Sequence, residues 1–141
     1  MSLEQLPEDY FYKNNKPPKP VEYTDDLRYL EFEVFDENTL VATVFVDTQE
    51  GIVKVEQFTD LIPLRPFNME PITIPNVIDF LESRCFPRTR ANADQLLKDL
   101  GVSIYDPIAI TKRTHGLQLE DYMWVRYKGD TTTYDQIKLR D

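Results

Sequence analysis

"YLEFEVFDENTLVATVFVDTQEGIVKVEQF", residues 29–58, decides the fold. Its first seven residues alternate, with Leu30, Phe32 and Val34 on one side and Glu31 and Glu33 on the other, the period of a half-buried strand. "LVATVFV", Leu40 to Val46, is nearly all apolar or β-branched, and "IVKVEQF" from Ile52 alternates again. The joints are "DENT", Asp36 to Thr39, and "DTQEG", ending at Gly51, both rich in turn formers. Three strands joined by such short turns predict an antiparallel meander with one wet and one dry face.

Downstream the pattern changes class. "DLIPLRPFNMEPI", residues 60–72, carries three prolines and no usable period, so it reads as a connector. From Thr73 the chain reads as helical, with Pro75 near a start and Val77, Phe80, Leu81 and Arg84 spaced i, i+3, i+4, i+7. Thr89 is the expected cap of a second helix, "RANADQLLKDL", with Gly101 as its stop. Asp106 and Pro107 open a third, "PIAITKRTH", with Gly116 as its stop. Near the end, Val125 and Tyr127 alternate with Arg126 as a strand, Gly129 and Asp130 make a turn, and "TTYDQIKL" reads as an edge strand or irregular segment. The expected architecture is α+β: a three-stranded antiparallel meander, two or three short helices, and a C-terminal strand or hairpin.

Residues 1–28 read as an extended N-terminal arm, because Pro7, Pro17, Pro18 and Pro20 interrupt both helix and sheet. Its "YFY", Tyr10 to Tyr12, is too aromatic for a purely solvated tail, so docking is expected on the body, residues 29–141, or on a partner. The body is expected to be a single α+β domain, a size that suits the 141-residue chain.

Charge and composition narrow the function classes. The formal net charge of −9 argues against bulk attraction to nucleic acid. The distribution is uneven: residues 1–80 hold 16 acidic and 6 basic groups, residues 81–141 hold 9 and 10. One cysteine, Cys85, excludes an internal disulfide and a thiolate zinc cage, and suits a reducing compartment. The N-terminus lacks a basic region followed by an apolar one, and no apolar run approaches a membrane span, so the expected location is cytoplasmic with no membrane partner.

Common chemistries find little support. One histidine and one cysteine, 30 residues apart, leave only carboxylates to complete a transition-metal site, so no metal is expected. Gly51, Gly101, Gly116 and Gly129 are isolated at turns, not clustered before a helix to cradle phosphate, so no nucleotide cofactor is expected. A Cys85–His115 nucleophilic pair lacks an orienting third group, and adjacent carboxylates such as Glu120 and Asp121 do not define a cleft.

The strongest interaction candidates are the cations Arg84, Arg88, Arg90, Lys112, Arg113 and His115, with Lys98 among them. Arginine forks and helix N-termini suit phosphate or carboxylate. The competing reading has these groups solvated or paired with Asp94, Asp99, Asp106 and the acidic sheet half. Trp124 is expected to be a core anchor whose indole N–H needs an acceptor, with Asp121 serving a turn beside it.

"FLESRCFPRTRANADQLLKDLG" followed by "THGLQLEDYMWV" resembles a segment ahead of the kinase body in HipA-like proteins of Firmicutes. The likeness covers Phe80 to Val125 and rests on Arg84, Pro87, Arg90, Gly116, Leu117, Leu119, Asp121 and Trp124. It implies a noncatalytic accessory segment, since the kinase motifs of that family are absent from this sequence. The expected function is therefore a noncatalytic protein-interaction or regulatory module, binding another protein or a second copy of itself. A nucleic-acid-binding accessory protein and a small enzyme are the alternatives.

Overall fold

A computed structural model describes residues 28–139. The expected N-terminal arm, except Arg28, lies outside the described residues. The elements are β1 (Tyr29–Asp36), β2 (Thr39–Asp47), β3 (Ile52–Gln57), α1 (Ile74–Ser83), α2 (Ala93–Leu100), α3 (Pro107–Thr114), β4 (Met123–Tyr127) and α4 (Tyr134–Ile137). The architecture is α+β, with one correction to the expected sheet. The C-terminal strand does not stand apart from the meander: β4 pairs antiparallel with β1, giving a four-stranded sheet of order β3-β2-β1-β4.

The alternation seen in the sequence sets the two faces. Leu30, Phe32, Val34, Ala42, Val44, Val46, Val125 and Tyr127 bury one face against Val77 and Leu81 of α1 and against Phe67 of the connector. Each such fully buried side chain stabilises the fold by roughly 1.5–3 kcal/mol. The opposite face carries Glu31, Glu33, Thr43, Lys54, Glu56 and Arg126, with cross-strand ion pairs Glu33–Arg126 at 3.1 Å and Glu31–Lys128 at 3.3 Å.

The unbroken apolar run at the start of β2 has a specific cause. Pairing shifts by one residue between Val34 opposite Ala42 and Phe35 opposite Leu40, so Val41 is the extra residue of a bulge. A one-residue slip exchanges faces. Leu40 thereby joins Phe35, Trp124, Tyr134 and Ile137 in a second core, while Val41 and Ala42 stay with the first. The segment expected to be an edge strand or irregular forms α4, started by a capping box between Thr133 and Gln136. Its Tyr134 and Ile137 cover Trp124.

The helix ends follow local chemistry, with two corrections. Thr73 caps α1 through a capping box with Asn76, and Asp106 caps α3 by accepting from Ile108 N. Thr89 does not cap α2; Asn92 occupies that position, three residues later, after a turn closed by Arg90 N to Pro87 O. Gly101 ends α2 in the left-handed conformation as expected. The stop of α3 is His115, not Gly116: His115 takes φ 58° and its N–H bonds Thr111 O.

Candidate functional site

The six cationic candidates do not gather into one patch. Arg84, the residue that ends α1, is buried, and its guanidinium makes four internal hydrogen bonds. Nη1 and Nη2 each donate to one carboxylate oxygen of Asp121 at 2.8 Å, Nη2 also donates to Met123 O at 2.8 Å, and Nε donates to Gly116 O at 2.9 Å. This fork-on-fork geometry is what a planar guanidinium provides and an ammonium does not. It ties the end of α1 to the turn after α3 and to the start of β4. Gly116 must be small there, because a Cβ would stand 3.0 Å from Arg84 Cβ, and its φ is +65°.

His115 is also interior. Its Nδ1 lies 3.2 Å from Val125 O and 3.7 Å from Asp130, and its ring meets Trp124 edge-on at 6.1 Å. Burial pushes its pKa below the ordinary histidine value, more than Asp130 and Val125 O raise it, with Arg126 acting in the same direction as burial. The imidazole is therefore neutral near pH 7 and belongs to the packing of β4.

The other four cations have separate settings. Arg88 pairs with Glu82 at 2.7 Å and lies over the Tyr105 ring at 4.3 Å, so it braces the α1–α2 junction from outside. Lys112 sits 5.4 Å above the Tyr127 ring. Arg113 bonds the carbonyl of Ala109 on its own helix and is exposed, as is Arg90. Exposed pairs of this kind contribute little to stability.

The setting of Cys85 disfavours the thiolate. Burial, followed by the charges of Glu82 and Asp106, pushes its thiol up to about 12. Its Sγ lies 3.3 Å from Leu81 O within the small core shared by α2 and α3. Among the described residues no cluster of histidine, cysteine and carboxylates able to hold a metal is found. An open concavity of about 470 Å³ lies on the charged sheet face, lined by Glu31, Glu33, Lys54, Glu56 and Lys128 around Phe45. Two of its carboxylates, Glu31 and Glu33, are already paired with Lys128 and Arg126.

Trp124 takes the expected anchor role. It is fully buried, stacks on Phe35 at 4.7 Å, and its Nε1 donates to Glu37 O at 2.7 Å. Asp121 accepts from Met123 N at 3.2 Å as well as from Arg84, which combines the expected turn role with one the spacing did not show.

The surface that sequence periodicity missed is the connector. Phe58, Leu61, Ile62 and Met69 are 54%, 63%, 68% and 44% exposed, large apolar groups facing water on one short segment. That segment is held in place: Gln57 Nε2 donates to Phe67 O at 3.0 Å and Phe67 N donates to Gln57 Oε1 at 3.1 Å. The available signal was compositional, apolar residues spaced between prolines without a period that would bury them.

No family model, curated protein or solved structure matches this chain. Among the described residues no helix is long and apolar enough to cross a membrane.

Proposed function

We propose that this chain is a noncatalytic protein-interaction or regulatory module. The observation that carries the reading is the exposed apolar set Phe58, Leu61 and Ile62 on a segment braced through Gln57. Large apolar side chains held facing water close together in sequence suit a recognition surface. The most reactive side chains point the same way by being used elsewhere: Arg84 and His115 serve packing, and Cys85 is held as a thiol. The resemblance of Phe80 to Val125 to an accessory segment of HipA-like proteins implies the same class.

The test is the solution mass of the full chain, combined with capture on that chain from source-cell lysate, with and without nuclease. The expected result is self-association or a retained protein that nuclease does not release and that Leu61→Ser/Ile62→Ser weakens. Retention of nucleic acid alone, lost on nuclease treatment and on replacing Arg88, Arg90 and Arg113, would replace this reading with the nucleic-acid one.

A further inference from the structure

The two edges of the sheet are unequal. Phe58 N bonds Val41 O, in register with the β2–β3 pairs, so the even-numbered residues of β3 turn their backbone groups toward β2. Val53, Val55 and Gln57 therefore turn their N–H and C=O groups outward, where no partner meets them among the described residues. On the other edge, Val125 N of β4 is taken by His115 O at 2.8 Å. Among the described residues the open edge is β3.

The charges along that edge select an occupant. Lys54 and Glu56 lie on the wet face and have no ion-pair partner among the described residues. A lone edge lysine ordinarily discourages pairing. An antiparallel partner of the same sequence changes that, provided the two-fold passes through Val55. Lys54 then faces Glu56 of the second copy, and Glu56 faces its Lys54. Ile52, 42% exposed, meets Phe58 of the copy, 54% exposed. The outward groups of Val53, Val55 and Gln57 align to form about six backbone hydrogen bonds. Shifting the two-fold by one residue either way sets Lys54 against Lys54, or Glu56 against Glu56. Cross-strand like charges are unfavourable and opposite charges favourable, so the charges favour this register over its two neighbours.

We propose that the partner of the β3 edge is a second copy of this chain, paired antiparallel about Val55 into a continuous eight-stranded sheet. This rests on the protein-interaction reading and names a partner for the strand edge that ends at Phe58, the one member of the exposed apolar set that the pairing uses. The association is isologous, the same strand serving both sides.

The test uses Lys54→Glu and Glu56→Lys in the full chain, each measured alone and mixed, by sedimentation or light scattering across a concentration series. Moderate ionic strength screens the net charge of the chain beyond about 8 Å and leaves adjacent cross-strand pairs largely intact. The wild-type chain is expected to dimerise. Each single variant alone faces like against like twice and should dimerise at least about tenfold more weakly. An equimolar mixture should recover a heterodimer, because each contact then joins opposite charges. Val55→Pro removes an outward N–H, a change an edge strand accepts, and trims one half-buried side chain at the rim of the first core; it should abolish pairing while the Trp124 fluorescence of the folded chain is kept.

A wild-type chain that stays monomeric, a dimer indifferent to both charge changes, or a mixture that fails to recover would overturn the proposal. A different protein retained on the chain in those cases would leave the interaction reading standing.

Discussion

Replacing Arg84 by methionine tests whether the buried guanidinium is structural. The methionine keeps an unbranched apolar stem beside Gly116 but removes every donor. Two acceptors then lose their bonds inside the protein, Gly116 O and Met123 O. Each buried acceptor left without a partner costs about 1–3 kcal/mol. Asp121 adds less, because its side chain is 43% exposed and regains water when the pair is broken. The sum is about 2–6 kcal/mol, in line with the roughly 3–5 kcal/mol for breaking a buried pair from one side. That is a large share of the 5–15 kcal/mol typical of a domain. Urea unfolding followed by the fluorescence of Trp124, the only tryptophan, reads the loss directly. Arg84→Lys is the informative companion, since an ammonium cannot hold two carbonyls and both carboxylate oxygens together. Wild-type stability in Arg84→Met would refute the argument, and full rescue by lysine would show that charge alone suffices.

Two further outcomes follow from the interior groups. The folded pKa of His115 is depressed, so between that value and the unfolded value near 6.5 the unfolded chain binds the extra proton. Its contribution is complete above about pH 6.5 and is lost as pH falls below that toward the depressed folded value. His115→Asn, which tolerates the left-handed backbone, should flatten the fall of the urea midpoint just below about pH 6.5; an unchanged slope would contradict the burial argument. Cys85, pushed up to about 12, should alkylate far more slowly in native protein than in urea at pH 8. Equal rates in the two conditions would show an accessible thiolate.

The local parts of this fold were legible in the sequence because local rules set them. Leu30, Phe32 and Val34 lie on the dry face because period two dictates it, and Asp106 with Pro107 starts α3 because capping chemistry does. The place of β4 beside β1 was not legible, since pairing between strands so far apart leaves no periodic trace. The same holds for Arg84 and Asp121, 37 residues apart and read separately as a surface cation and a turn former. Arg84, Gly116 and Asp121 meet around a single guanidinium, a contact that no local pattern encodes. His115 misled because a lone histidine among cations looks like surface, whereas its left-handed backbone turns the chain inward to β4. The bulge at Val41 was hidden inside an apolar run that suits either face.

The carbonyl of His115 on Val125 limits how far such a sheet can grow. A protein with both flanks available for main-chain pairing has a valence of two, and end-to-end addition then runs on into fibres. Here one flank is occupied from within the chain, so joining through the other leaves no open flank of the sheet among the described residues. Assembly by that route stops at a pair, and raising the concentration fills pairs without lengthening them.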